Sequence, residues 1–212
     1  MSGDTLRTRF GLLWSRLGAA GDPGPITDAL LASYGAPERH YHSVDHLEDC
    51  LDQLDSSPPA GEARDVVEAA LWFHDAICVA GASDNESRSA ALAQSALSGA
   101  AVPGDVATEV ARLVRLTDHV HPPSDPSGAL VCDVDLSILG RGTVEFETYE
   151  GRIRAEYAAV PEHLYRPGRV RILERLLERI PLFRTQHFRT RFEAAARRNL
   201  HTSLGRLRTP PT

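Results

Sequence analysis

The 212-residue chain contains no lysine; all 23 of its basic residues are arginine. That absence removes a P-loop lysine, a Schiff-base lysine and a lysine general base from the available chemistries. Cysteine is scarce too, with Cys50, Cys78 and Cys132 and no CxxC spacing. An odd count without paired spacing argues against a disulfide framework or a structural zinc site. Each cysteine lies among apolar residues, which marks it as a small core filler. No apolar run approaches the roughly 18 residues a bilayer span needs, so no membrane partner is expected. Residues 1–7 lack a basic segment followed by an apolar one, which speaks against a secretory signal and for a cytoplasmic location. The formal charge of −6 argues against broad, nonspecific nucleic-acid binding, which needs a basic surface. GxGxxG, P-loop, HExxH and GxSxG signatures are all absent, leaving dinucleotide-binding, NTPase, zincin and nucleophile-elbow readings without a basis.

What is present is helical periodicity. Apolar content of 42% and charged content of 25% are ordinary for a globular protein. Alternating β-branched runs are rare. The spacing predicts helices over 4–17, 26–34, from Ser43 to about 54, 62–78, 84–97, 105–118, 143–159 and 161–179, with a terminal one from about 185. Residues 18–25, 80–83 and 121–128 read as turns or loops, and 206–212 as a frayed tail. Without repeats or low-complexity linkers, one all-α domain is the economical reading.

Chemistry concentrates in three segments. In Ala69-Ala70-Leu71-Trp72-Phe73-His74-Asp75-Ala76-Ile77, an imidazole and a carboxylate sit side by side within an apolar run. Burying an ionised carboxylate is costly unless a cation or hydrogen bonds compensate it, and a metal ion compensates both groups at once. Nine His and 15 Asp in 212 residues give roughly 0.6 His-Asp pairs by chance, so the setting carries the signal rather than the pair. In Arg39-His40-Tyr41-His42-Ser43-Val44-Asp45-His46, Ser43 is a good N-cap, which leaves His42 outside the helix and His46 in its first turn. His46 is the expected ligand, with His42 facing substrate or supporting the ligands. In Val131-Cys132-Asp133-Val134-Asp135, carboxylates two apart face away from each other on a helix, so one is expected to be a ligand and the other a cap or network residue. His46, His74, Asp75 and an Asp near 135 make a mixed nitrogen and oxygen set. Such a set suits manganese, iron, cobalt, nickel or zinc better than calcium.

This order of elements resembles the HD-domain superfamily of metal-dependent phosphohydrolases, and more closely a bacterial branch of predicted metal-dependent HD phosphohydrolases. Segments 39–46 and 72–76, Asn85-Glu86-Ser87-Arg88-Ser89-Ala90, Asp133 to Gly140, and Ile153-Arg154-Ala155-Glu156-Tyr157 carry the resemblance in one order. It implies a single HD-like helical bundle with helical additions at both ends: a metal-site core over about 39–140 and C-terminal helices over about 143–205. It implies His46, His74, Asp75 and Asp135 as metal ligands, with Asp135 preferred to Asp133, and His119 as a candidate for a second metal. Glu86 and Arg88 follow the His-Asp segment after a loop. There Glu86 could act on water and Arg88 fork onto phosphate; an exposed helix N-terminus is the plainer alternative. Arg152, Arg154 and Tyr157 read as a solvated helix face.

The expected activity is therefore divalent-metal-dependent hydrolysis of a phosphate ester or phosphoanhydride, a nucleotide-like small molecule among them, with Glu86, Arg88 and His119 assisting. A non-catalytic ligand-binding or sensory module on the same scaffold is the alternative. A di-iron oxygenase, which would use extra histidines such as His42 and His119, is a third.

Overall fold

The computed structural model describes residues 3–58 and 63–209. They form ten α-helices and one 3-10 turn, without a strand among the described residues, which agrees with the all-α expectation. The chain divides into two compact units, 1–135 and 136–212.

The first unit holds α1 (Gly3–Arg16), α2 (Gly24–Tyr34), α3 (Val44–Ser56), α4 (Ala63–Phe73), α5 (Asn85–Gly99), α6 (Gly104–Leu116) and α7 (Pro126–Asp135). Helix α4 is its hub. Every residue from Val67 to Phe73 is buried, so the last two turns of this helix are enclosed on all sides, while residues 63–66 are half-buried. It packs against α1, α3, α5, α6 and α7. Phe10 of α1 meets Trp72 of α4 edge-on with ring centroids 4.9 Å apart, a geometry favoured by the ring quadrupoles. Buried Glu68 of α4 is compensated by two arginines of α1, with Arg9 Nε at 2.7 Å and Arg16 Nη2 at 3.0 Å.

Helix α4 stops at Phe73, five residues short of the predicted end. His74 and Asp75 therefore lie in the turn that follows, not on a helix face. Ala76 N–H closes that turn onto the Phe73 carbonyl at 3.0 Å. The freed carbonyls of Asp75 and Ala76 are taken by the Arg39 guanidinium instead of by a further helical turn.

The second unit holds the 3-10 turn Leu136–Gly140, α8 (Thr143–Glu156), α9 (Glu162–Glu178) and α10 (Gln186–Arg208). Asn199 Nδ2 of α10 donates to the carbonyls of Leu139 and Arg141 at 2.9 and 3.0 Å, holding the 3-10 turn. Gly140 touches the backbone of Phe192 so closely that a Cβ there would stand 2.8 Å from the Phe192 Cα and carbonyl oxygen. Arg154 is not simply solvated. Its guanidinium binds Glu162 and the carbonyls of Tyr157 and Val160, and lies 4.6 Å over the Tyr165 ring. The predicted fraying from Arg206 is also corrected: α10 runs to Arg208. Arg166 donates to the carbonyls of Arg206 and Leu207 and so satisfies the helix end, while residues 210–212 lie outside the described residues.

Candidate metal centre

Three ends of helices converge in the first unit. Ser43 occupies the N-cap position of α3, which leaves His42 outside the helix and puts His46 in its first turn. The turn after α4 supplies His74 and Asp75, and the last residue of α7 supplies Asp135. His46 and His74 are buried, with 5% and 1% exposure.

The side-chain atoms meet at ligand-like separations. His46 Nε2 lies 3.1 Å from His74 Nε2 and 3.2 Å from Asp135 Oδ1. Asp75 Oδ2 lies 2.9 Å from His74 Nε2 and 3.5 Å from His46 Nε2, and Asp135 Oδ1 is 3.6 Å from His74 Nε2. Two donors held about 2.1 Å from one ion stand ~3.0 Å apart at a right angle and ~3.4 Å apart at the tetrahedral angle. The five separations cluster around those values. Asp75 Oδ2 is moreover buried without a hydrogen-bond partner of acceptable geometry. An orphaned carboxylate oxygen aimed at two imidazole nitrogens is what a cation site requires. His46, Cys50, His74 and Asp135 form a group able to hold a metal ion.

The surroundings orient these donors. His74 Nδ1 sits 2.8 Å from the Leu71 carbonyl, so that nitrogen carries the proton and Nε2 is turned to the centre. His119 Nε2 lies 2.8 Å from Asp135 Oδ2, leaving Oδ1 on the side of His46 and His74. His119 adopts a positive φ of 52°, the left-handed region that a side chain occupies only when its surroundings hold it there. Arg39 donates to the carbonyls of His42, Asp75 and Ala76 and to Ser33 Oγ, joining the segment before α3 to the His74-Asp75 turn. The buried Tyr34 hydroxyl accepts from Asp75 N–H at 3.3 Å.

Electrostatics reflect the crowding. Burial works against the charged form of His74, yet Asp75 and Asp135 outweigh it and raise its pKa well above the ordinary imidazole value. Burial likewise opposes a charged His119, but Asp135 and Cys132 prevail and push it up to about 10. Asp75 and Asp135 move the other way. Burial raises them, and the neighbouring imidazoles more than reverse it, holding both below the usual carboxylate range. Glu86 is shifted upward by burial, with the charges of Asp75 and Asp118 adding to it. The two aspartates keep 15% and 14% of their side-chain surface exposed, so solvent reaches the centre on the carboxylate side.

His46, His74, Asp75 and Asp135 lie together, and His119 meets them through Asp135. His42 borders the group, its ring 5.9 Å from that of His46. Glu86 is partly buried within electrostatic reach of Asp75 and His119. Arg88 is exposed on α5, its guanidinium 3.9 Å from Asp84. Asp133 is buried at 1% exposure, while Asp135 two residues on turns to the centre. Sequence reasoning missed Arg39 and Tyr34, whose roles depend on chain segments that only folding brings close. It also missed Cys50, although a cysteine four residues after a candidate ligand on one helix was a readable signal. No protein-family model, no curated protein and no solved structure matches the chain.

Proposed function

We propose that the protein is a divalent-metal-dependent phosphohydrolase centred on His46, His74, Asp75 and Asp135, acting on a small phosphate ester or phosphoanhydride such as a nucleotide. The carrying observation is the convergence of two imidazole nitrogens and two carboxylate oxygens at 2.9–3.6 Å around the orphaned Asp75 oxygen. The sequence resemblance to HD phosphohydrolases supports the same reading. Mixed imidazole and carboxylate donors suit manganese, iron, cobalt, nickel or zinc. An ion held there supplies positive charge that acidifies water and offsets charge developing on a phosphoryl oxygen.

The chain's own groups divide the remaining work. His119 orients Asp135 and brings a second positive charge beside the carboxylates, which favours an anionic substrate. Glu86, half-buried, with its pKa raised by burial and by the charges of Asp75 and Asp118, suits proton exchange with the attacking water or the leaving group. The clamp made by Arg39 keeps His74 and Asp75 in place before substrate arrives.

Metal analysis of the protein as purified, joined to phosphate release from a panel of phosphoesters and nucleotides, tests this. One ion per chain and turnover that disappears in Asp75→Ala together with the metal are expected. A metal-free protein, or an Asp75→Ala variant with metal and turnover intact, overturns the assignment. Metal and tight ligand binding without product would point to the binding module, and two irons to the oxygenase.

A further inference from the structure

Cys50 lies on α3 one turn after His46 and is 1% exposed. Its Sγ is 3.7 Å from His46 Nε2 and 3.8 Å from His46 Nδ1. One ligand atom from each of His46, Cys50, His74 and Asp135 lies within 4.8 Å of all the others. A thiolate about 2.3 Å and an imidazole nitrogen about 2.1 Å from one ion stand ~3.1 Å apart at a right angle, ~3.6 Å at the tetrahedral angle and ~4.4 Å when opposite. The Sγ–Nε2 separation lies within that span. The nearly equal distance to Nδ1 places the sulfur beside the ring, so ligation requires the Cys50 side chain or the His46 ring to turn until Sγ lies on the Nε2 side. The i, i+4 spacing on one helix face supplies the two donors together.

We propose that Cys50 is a sulfur donor to the ion of the centre described above, a step that rests on that metal reading. The thiol gives its proton to solvent on coordination. The donor set becomes nitrogen, oxygen and sulfur, which selects zinc, iron, cobalt or nickel over manganese and magnesium. Cys50 is then part of the site, not a core filler. Cys132, whose Sγ donates to the Leu116 carbonyl at 3.4 Å and interacts with His119, and Cys78 do not belong to that group of donors.

Cobalt(II) titration of the metal-stripped full chain tests this, because a cobalt–thiolate bond adds a near-ultraviolet charge-transfer band that nitrogen and oxygen donors do not produce. The expected result is a wild-type band that persists in Cys78→Ser and Cys132→Ser and is lost in Cys50→Ser. The visible cobalt bands should remain in Cys50→Ser, with affinity weaker by at least roughly tenfold. Cobalt bound to wild type without the charge-transfer band refutes the sulfur donor and leaves the metal centre standing. Survival of the band in Cys50→Ser refutes it equally. Failure of wild type to bind cobalt overturns the metal centre itself. The wild-type spectrum is decisive even if the Cys50 variant does not fold.

Discussion

Arg39 offers the sharpest test of how the centre is held. Its guanidinium donates to the carbonyls of His42 and Ala76, both at 3.1 Å, and to that of Asp75, and stands 5.4 Å from the Tyr34 ring centroid. A hydrogen bond from a charged donor contributes about 1.5–3 kcal/mol when buried, and because these are only partly buried each is taken as about 1 kcal/mol. Adding about 0.5–1 kcal/mol for the ring contact to the three bonds, Arg39→Ala should lose about 3.5–4 kcal/mol. Arg39→Lys keeps the charge but not the fork and should lose about half as much. Urea unfolding followed by fluorescence of the buried Trp14 and Trp72 reads this as a lower midpoint at unchanged slope. Because the lost bonds fix the turn bearing His74 and Asp75, metal affinity should fall as well, by roughly 10- to 100-fold. A variant within about 0.5 kcal/mol of wild type, a shift ordinary for surface substitutions, and with unchanged metal affinity would show that the turn holds itself and that the clamp is incidental.

Three further outcomes are expected. In metal-stripped protein, the His119–Asp135 pair contributes stability that is complete below the unfolded histidine pKa of about 6.5 and is lost as pH rises through about 10. Thermal melts across that window should fall with pH in wild type and stay flatter in Asp135→Asn, and parallel curves would exclude the pair as the cause. Glu86→Gln should lower kcat/KM by roughly 10²–10⁴ and remove one limb of its pH profile without loss of stability, since the native carboxylate is disfavoured by its surroundings; an unaltered profile removes Glu86 from the chemistry. Gly140→Ala forces a Cβ against the Phe192 backbone and should destabilise the protein by about 1–3 kcal/mol in urea titration. An unchanged midpoint would mean that the 3-10 turn and α10 separate freely.

Much of this protein was legible along the chain. Apolar periodicity located the helices, because most of them must bury one stripe, and Ser43 located the start of α3 because serine readily takes the extended backbone that precedes a first helical turn. The His74-Asp75 pair was legible as a buried charge needing compensation, since that cost depends on the apolar neighbours beside it in the chain. The tertiary structure decided what local rules do not contain. Helix α4 gives way after Phe73 to a turn, and Arg39, 34 residues earlier, takes the carbonyls of Asp75 and Ala76 in that turn. Asp135, and not Asp133, faces the centre, and His119, in the left-handed region beyond α6, holds one of its oxygens and leaves the other toward His46. Cys50 reads along the chain as a core filler, and it is buried; that its sulfur also comes within 3.7 Å of His46 is visible only in the fold. Composition and periodicity determine what must be buried. Which buried groups meet is set by contacts between distant segments, and from that meeting the candidate centre arises.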